Sequence, residues 1–231
     1  MALVYEGKRK TLHRTKIEWT EYVWNLETGC NHGCWYCYAK TFAIRFKSLF
    51  PNGFTPTFYP CGLSEAKNLK KPHKIFVCSV ADLFASWTPV EWRDKILEAV
   101  EECPIQHTFQ LLTKNPEMIP LNHIFPDNIW VGTTVTNDPK TKDWVNIEAI
   151  KQVHAKVRFV SFEPLLGELP DTSSLEGVQW VIIGKLTGSR RVSLDMNWVE
   201  GILLQCSMLK IPVFVKNNIG MTDQIQEYPV N

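Results

Sequence analysis

The sequence lacks several features that would place the protein in other classes. No stretch of the 231 residues approaches 18 consecutive apolar residues, and residues 1–16 lack the apolar segment of a secretory signal. We therefore expect a cytoplasmic protein without a membrane partner, whose seven cysteines are reduced rather than paired in disulfides. Tight spacing among reduced cysteines favours a metal or cluster site.

Acidic residues are scarce in the first third of the chain. Residues 1–75 hold twelve Lys and Arg against five Asp and Glu, whereas the remainder holds thirteen against nineteen. Within residues 1–16 lies a run of cations, for which we expect a basic N-terminal arm that is solvated or touches phosphates. Residues 17–231 are expected to form one domain, because a domain takes roughly 100–200 residues.

A GxGxxG fingerprint is also missing after the first predicted strand, which weakens the case for a dinucleotide-binding open sheet. The chain instead contains short apolar runs separated by helices, a pattern typical of buried parallel strands. Strands are predicted at 17–25, 74–79, 108–112, 129–135, 156–162, 179–184 and 212–216, and helices at 38–50, 89–102, 142–153 and 197–209. Polar residues follow the strands, and a full barrel needs about 250 residues. The pattern thus predicts an α/β fold, a partial TIM-like barrel of six or seven strands with a cysteine loop after the first.

The cysteine loop reads TGCNHGCWYCYA and places Cys30, Cys34 and Cys37 at C-x3-C-x2-C spacing. Three thiolates on one short loop can hold three corners of a [4Fe–4S] cluster and leave the fourth iron open to a small molecule. Zinc with His32 as fourth ligand is the alternative, although a histidine between two nearby ligands is poorly placed to complete a tetrahedron. The other four cysteines are isolated: Cys61, Cys103 and Cys206 are expected to be buried thiols, and Cys78 lies near the loop.

This loop resembles that of the radical S-adenosylmethionine (SAM) superfamily, whose motif is C-x3-C-x-aromatic-C, with Tyr36 as the aromatic residue here. The resemblance implies a [4Fe–4S] cluster that binds SAM and, with one electron from a donor such as flavodoxin or ferredoxin, cleaves it to methionine and a 5′-deoxyadenosyl radical. The family usually holds the SAM amino group with Gly-Gly-Glu after the second strand, where this chain has Ser79-Val80-Ala81-Asp82. The resemblance therefore assigns SAM contacts to Ser79 and Asp82, and at other strand ends to Thr113, Lys114, Thr134, Thr136, Ser161 and Glu163.

Along its whole length the chain resembles a short, phage-protein-like group of this superfamily, in segments such as KIEWTEYVWN, QLLTKNP and PVFVKNNI. One branch of the group acts in queuosine salvage, as a queuine lyase that releases queuine from queuosine 5′-phosphate. Cations near the last two strands agree with a phosphate-bearing substrate, since arginine and lysine bind phosphate oxygens. These cations are Lys185, Arg190, Arg191 and Lys216, and Trp19, Trp24 and Trp35 are candidates to stack on a base.

The sequence leaves three functions open. The first is a radical SAM lyase acting on a small nucleotide, of which queuine lyase is the named example. The second is a radical SAM enzyme that modifies nucleic acid or a peptide, with the basic arm as a docking surface. The third is a zinc-stabilised nucleic-acid-binding module without catalysis. The series of strands argues against the third, and the small size argues against the second, because polymers need more docking surface.

Overall fold

A computed structural model describes residues 2–170, 173–187 and 192–230. The chain divides into two compact units, one ending at Thr113 and the other beginning at Lys114. In chain order the first unit contains β1 (Leu3–Val4), β2 (Leu12–Arg14), β3 (Tyr22–Trp24), β4 (Glu27–Thr28), α1 (Tyr38–Arg45), β5 (Thr57–Phe58), β6 (Lys74–Val77), α2 (Val90–Glu101) and β7 (Thr108–Thr113). The second contains β8 (Ile129–Thr134), α3 (Asn146–Lys151), β9 (Arg158–Phe162), β10 (Trp180–Ile183), α4 (Met196–Leu209) and β11 (Val213–Val215).

The first unit is built on two sheets. In the larger one β3, β6 and β7 are parallel neighbours, and β2 pairs with β3 in the antiparallel sense. In the smaller one β5 lies between β1 and β4. Strand β6 is buried at Ile75, Phe76 and Val77 because apolar side chains project from both of its faces into the core. Parts of the predicted basic arm, Leu3–Val4 and Leu12–Arg14, are therefore held in these sheets.

The second unit is a parallel sheet in the order β8-β9-β10-β11. Its strands are almost entirely buried, as expected for parallel strands with apolar residues on both faces. Helix α4 begins after Asp195, whose side chain accepts from the Asn197 amide, and ends at Lys210, which adopts a left-handed conformation. None of the helices in the described ranges is long and apolar enough to cross a lipid bilayer.

All seven predicted strands are present, six with narrower bounds and β7 extended by one residue to Thr113. The first is confined to Tyr22–Trp24, because residues 17–20 form a turn in which the Thr20 amide donates to the Ile17 carbonyl. Helix α1 is shorter than predicted, since its last hydrogen bond runs from Phe46 and the chain then leaves helical geometry. The four strands β1, β2, β4 and β5 were not predicted, because each has only two or three residues and depends on partners elsewhere in the chain.

Candidate active site

The start of the cysteine loop is fixed by Gly29. This glycine has φ of +91°, and its amide donates to the Val80 carbonyl at 3.0 Å. A Cβ atom added to Gly29 would lie 2.4 Å from the backbone oxygen of Thr55. The loop therefore leaves β4 in a conformation and a space that only glycine fits.

Gly29→Ala is expected to lower the free energy of unfolding by ~2–4 kcal/mol, because a left-handed backbone and a steric clash are combined at this position. Urea unfolding of the two proteins measures the difference. Gly33→Ala is the matched control, since Gly33 has φ of +68° but nothing within 4 Å of its added Cβ atom. Equal losses in the two variants would show that the contact with Thr55 has no energetic weight.

The three loop cysteines are half-buried and held by backbone contacts. The Cys30 amide donates to the Phe54 carbonyl at 3.3 Å, and the Cys37 amide donates to the Cys34 carbonyl at 3.1 Å. Cys37 is also the N-cap of α1, where its Sγ accepts from the Lys40 amide at 3.3 Å. The transition from loop to helix therefore sets where the last thiol lies.

The pKa of the Cys30 thiol is governed by burial. Burial, with smaller contributions from the charges of Asp82, Cys34 and Cys37, raises this pKa to about 12, although a hydrogen bond from the His32 backbone lowers it. Mutual repulsion of this kind is relieved when thiolates bind iron, which displaces their protons. Among the described residues no three His, Cys, Asp or Glu side chains are placed to hold one metal ion. In a [4Fe–4S] cluster each cysteine binds a different iron atom. The observation therefore concerns sites for a single metal ion and not a cluster site.

Asp82 is at the centre of a buried network beneath the loop, with only 4% of its surface exposed. Its Oδ2 lies 2.7 Å from His32 Nε2, and its Oδ1 accepts from Thr113 Oγ1 at 2.6 Å and from the Phe84 amide at 3.2 Å. The Asp82 carbonyl accepts from Thr88 Oγ1. The structure thus brings together two predicted site residues, Asp82 and Thr113, through direct contact, and directs His32 Nε2 toward a carboxylate.

Glu27 is a site residue that sequence reasoning missed. It is fully buried on β4, three residues before Cys30, and its Oε1 accepts from Thr88 Oγ1 at 2.8 Å. Its Oε2 is buried without a hydrogen-bond partner among the described residues. Burial raises the Glu27 pKa to about 8, and the charge of Asp82 adds to that rise. A charged residue between Leu26 and Thr28 in a short apolar segment was the only available signal.

Cys78 lies near the loop, as predicted. It is fully buried at the end of β6, with φ of 57°, a conformation uncommon for a residue other than glycine. Burial strongly raises the pKa of its thiol, and the charge of Glu27 raises it further, whereas hydrogen bonds from the Glu27 and Leu26 backbone lower it. Cys78 therefore belongs to the same buried network as Glu27.

The predicted residues of the second unit lie at its C-terminal strand ends. Thr134 and Ser161 are buried opposite each other in the β8–β9 register. The amide and the hydroxyl of Thr136 both donate to Asp143 Oδ2, at 2.7 and 2.6 Å. The carbonyl of Lys114 accepts from Asn146 at 3.0 Å. Thr136 is thus engaged within its own loop.

The predicted cation cluster is altered by one ion pair. Lys216 Nζ contacts Glu163 Oε1, so this predicted phosphate-binding lysine is paired with a carboxylate. Gly184 makes room for the pair, since a Cβ atom there would lie 2.9 Å from Lys216 Cδ. Lys185 is exposed, and its backbone exchanges two hydrogen bonds with Asn218. Arg190 and Arg191 lie outside the described residues.

The aromatic and cysteine predictions are corrected at three positions. Trp19 and Trp24 are buried, with 2% and 0% exposure, and cannot stack on a substrate base in this conformation. Trp35 is 40% exposed beside Cys34, and its ring lies edge-on to half-buried Tyr36 with centroids 5.5 Å apart. Cys61 is exposed rather than buried, whereas Cys103 and Cys206 are buried as predicted.

Comparison with protein families gives a match over residues 14–227 to the family described as Protein of unknown function (DUF5131). The chain belongs to the DUF5131 family. A search of curated proteins finds no match to this chain.

Solved structures of spore photoproduct lyase resemble the DUF5131 chain in fold. A double mutant with bound AdoMet and dinucleoside spore photoproduct matches with a TM-score of 0.63 and 11% identity, over 92% of this chain and 80% of the other. A single mutant with the dinucleoside spore photoproduct matches with a TM-score of 0.60 and 11% identity, over 93% of this chain and 80% of the other. A further complex with the dinucleoside spore photoproduct matches with a TM-score of 0.54 and 13% identity, over 78% of this chain and 60% of the other. At these identities the comparison establishes a shared fold.

Proposed function

We propose that this protein is a radical SAM enzyme whose [4Fe–4S] cluster is held by Cys30, Cys34 and Cys37. The observation that carries the proposal is the placement of three half-buried thiols on one loop between β4 and α1, in a chain with the fold of an AdoMet-binding lyase. A partial barrel is part of this proposal and is supported by the parallel strands of each unit.

The cluster, when bound, supplies the electron that cleaves SAM to methionine and a 5′-deoxyadenosyl radical. The chain's own residues would hold and shield the cofactors. Tyr36 lies directly before Cys37, and Ser79 donates to Asn25 Oδ1 at 3.0 Å in the segment after β6. The SAM contacts assigned by resemblance to Thr113, Lys114, Thr134, Thr136, Ser161 and Glu163 remain part of the proposal.

The exposed face of α1 supports an acidic electron-transfer protein, such as flavodoxin or ferredoxin, as the donor. Tyr38 and Phe42 are 57% and 46% exposed, and the cations Lys40 and Arg45 are exposed beside them. Residues 28–64 contain no Asp or Glu. An acidic partner is favoured because its charge complements this face, which begins directly after Cys37.

For the substrate we propose a small nucleotide, and for the reaction the release of queuine from queuosine 5′-phosphate. The ligand in the spore photoproduct lyase complexes is a dinucleoside, which supports a nucleotide-like substrate. Incubating the anaerobically reconstituted protein with SAM, a reductant and queuosine 5′-phosphate tests the proposal by mass spectrometry. Queuine and 5′-deoxyadenosine should both appear. SAM cleavage without queuine would keep the radical SAM assignment and reject this substrate.

Nucleic acid is a second candidate substrate, favoured by the same dinucleoside ligand and by the excess of Lys and Arg in residues 1–75. Binding of single- and double-stranded DNA and RNA at several salt concentrations distinguishes it. A nucleic-acid enzyme should lose affinity steeply as salt rises, because its phosphate contacts release counterions. A small-nucleotide enzyme should lose little affinity for its substrate over the same range of salt concentrations.

A phosphate requirement is expected for the small-nucleotide reaction. Losing a charged lysine–phosphate contact costs ~2–4 kcal/mol, so kcat/KM for queuosine should be roughly thirty- to a thousandfold below that for its 5′-phosphate. Lys185→Ala should reproduce part of that loss with the phosphorylated substrate only. Lys210→Ala is the matched control. It removes an exposed lysine that precedes β11, whereas Lys185 follows the C-terminal end of β10. Equal turnover of queuosine and its phosphate would remove the phosphate argument.

A further inference from the structure

The segment that follows β6 contacts the cysteine loop at three points. It reaches the start, the middle and the end of the loop by one polar contact each. The Gly29 amide donates to the Val80 carbonyl at 3.0 Å, His32 Nε2 lies 2.7 Å from Asp82 Oδ2, and the Tyr38 hydroxyl donates to the Ser79 carbonyl at 2.9 Å. The segment after β6 therefore supports the loop at its start, its middle and its end.

The carboxylate of Asp82 is already occupied on both oxygens. Oδ1 accepts from the Thr113 hydroxyl and the Phe84 amide, and Oδ2 pairs with His32. With only 4% of the residue exposed, these three partners hold the carboxylate in one orientation. A carboxylate held in this way is better suited to orient a neighbouring side chain than to receive a ligand that enters and leaves.

His32 is held from a second side as well. Its ring lies edge-on to the ring of Trp87, with centroids 4.7 Å apart and an interplanar angle of 81°. His32 is two residues from both Cys30 and Cys34. Only three residues separate these cysteines, and His32 is the middle residue of the three. Holding His32 therefore restricts the backbone that carries both thiols.

We propose that Asp82 is a positioning residue, which holds the cysteine loop in its ligand-binding conformation through His32, instead of an acceptor for the SAM ammonium group. The effect of this positioning role on the cluster rests on the proposed function. The loop conformation itself is a property of the metal-free chain and can be measured there.

The metal-free protein gives the first test, through the rate at which iodoacetamide alkylates Cys30, followed by mass spectrometry. Asp82→Ala and His32→Ala should each raise this rate about tenfold, the effect of losing one charge-assisted hydrogen bond. The double variant should react no faster than either single variant, because both remove the same contact. Asp82→Asn should remain within about threefold of the unchanged protein, since its amide oxygen can keep the Thr113 and Phe84 contacts while its NH2 group donates to His32 Nε2 in the tautomer that accepts there.

A matched control is available in the same unit. His73 Nδ1 lies 3.1 Å from Glu21 Oε1, another histidine–carboxylate pair, at the start of β6 and away from the cysteine loop. His73→Ala should leave Cys30 alkylation unchanged. Alkylation of Cys30 at the unchanged rate in both His32→Ala and Asp82→Ala would overturn the proposal. If Asp82→Ala fails to fold, His32→Ala and Asp82→Asn still decide it, because His32 is partly exposed.

The reconstituted protein gives the second test, by iron loss to a chelator, SAM affinity and the electron paramagnetic resonance (EPR) spectrum of the reduced cluster. His32→Ala should lose iron about tenfold faster, whereas Asp82→Asn should keep the rate, the SAM affinity and the SAM-induced spectral change of the unchanged protein. A tenfold weaker SAM affinity in Asp82→Asn, with iron retention unchanged, would show that Asp82 accepts the ammonium group. If the unchanged protein assembles no cluster, the proposed function fails, and the alkylation rates still decide the role of Asp82.

Discussion

Replacing Cys30, Cys34 or Cys37 by alanine is expected to abolish SAM cleavage and to remove the cluster. A positioning change around a metal site typically costs 10–100-fold in metal affinity, and removing a ligand itself should exceed ~100-fold. The unchanged protein, reconstituted anaerobically, should be brown and carry roughly four iron and four sulfide per chain. Iron and sulfide content, absorbance, and 5′-deoxyadenosine formation measure the effect.

Cys206→Ala and Cys103→Ala are the controls for this experiment. Both thiols are buried, so each replacement should change stability at most and leave iron content as it was. A colourless unchanged protein that binds one zinc ion per chain would reject the cluster and revive the zinc-stabilised module. Full iron content in any one of the three loop variants would remove that residue from the ligand set.

The stability of the protein is expected to fall as pH rises, because of Glu27. The folded-state pKa of this carboxyl is about 8, raised by burial from the ordinary 4.5. Below pH 4.5 the carboxyl is protonated in both the folded and the unfolded state, so its ionisation does not lower the free energy of unfolding. Between 4.5 and 8 the unfolded chain ionises while the folded one stays neutral, so up to about 5 kcal/mol of stability is lost by linkage. Above about 8 the loss is complete.

Glu27→Gln should remove this part of the pH dependence while keeping the acceptor for Thr88. The free energy of unfolding by urea, under reducing conditions at pH 5, 7 and 9, should decline less in the variant than in the unchanged protein. Glu98→Gln, at an exposed position on α2, is the control and should leave the pH profile as it is. Parallel profiles for the Glu27 variant and the unchanged protein would show that Glu27 ionises as readily folded as unfolded.

The order of the larger strands and the spacing of the cysteines were readable from sequence because both depend on local patterns. Apolar runs such as IWVGTT and WVII mark buried strands, and the seven predicted strands are all present. The cysteines lie within eight residues, so their spacing alone restricts how they can meet a ligand. The fold shared with spore photoproduct lyase agrees with the predicted α/β fold of parallel strands.

The short strands and the substrate-side cations were less readable. Strands of two or three residues have too few side chains to show a period, and their pairing is supplied by distant segments. Trp19 and Trp24 could not be recognised as core residues, because an aromatic side chain serves equally well in a core and in a stacking site. Lys216 is predicted to bind phosphate, and only the structure shows that Glu163, 53 residues earlier, pairs with it.

The sequence by itself determined the strand series, the cysteine spacing and therefore the chemistry that we propose. Only the tertiary structure decided how that loop is supported. His32 and Asp82 are 50 residues apart, and Glu27 and Thr88 are 61 apart. Chain closure and core packing decide which polar side chains meet over such separations. A buried carboxylate or imidazole needs a partner within the protein because water cannot solvate it.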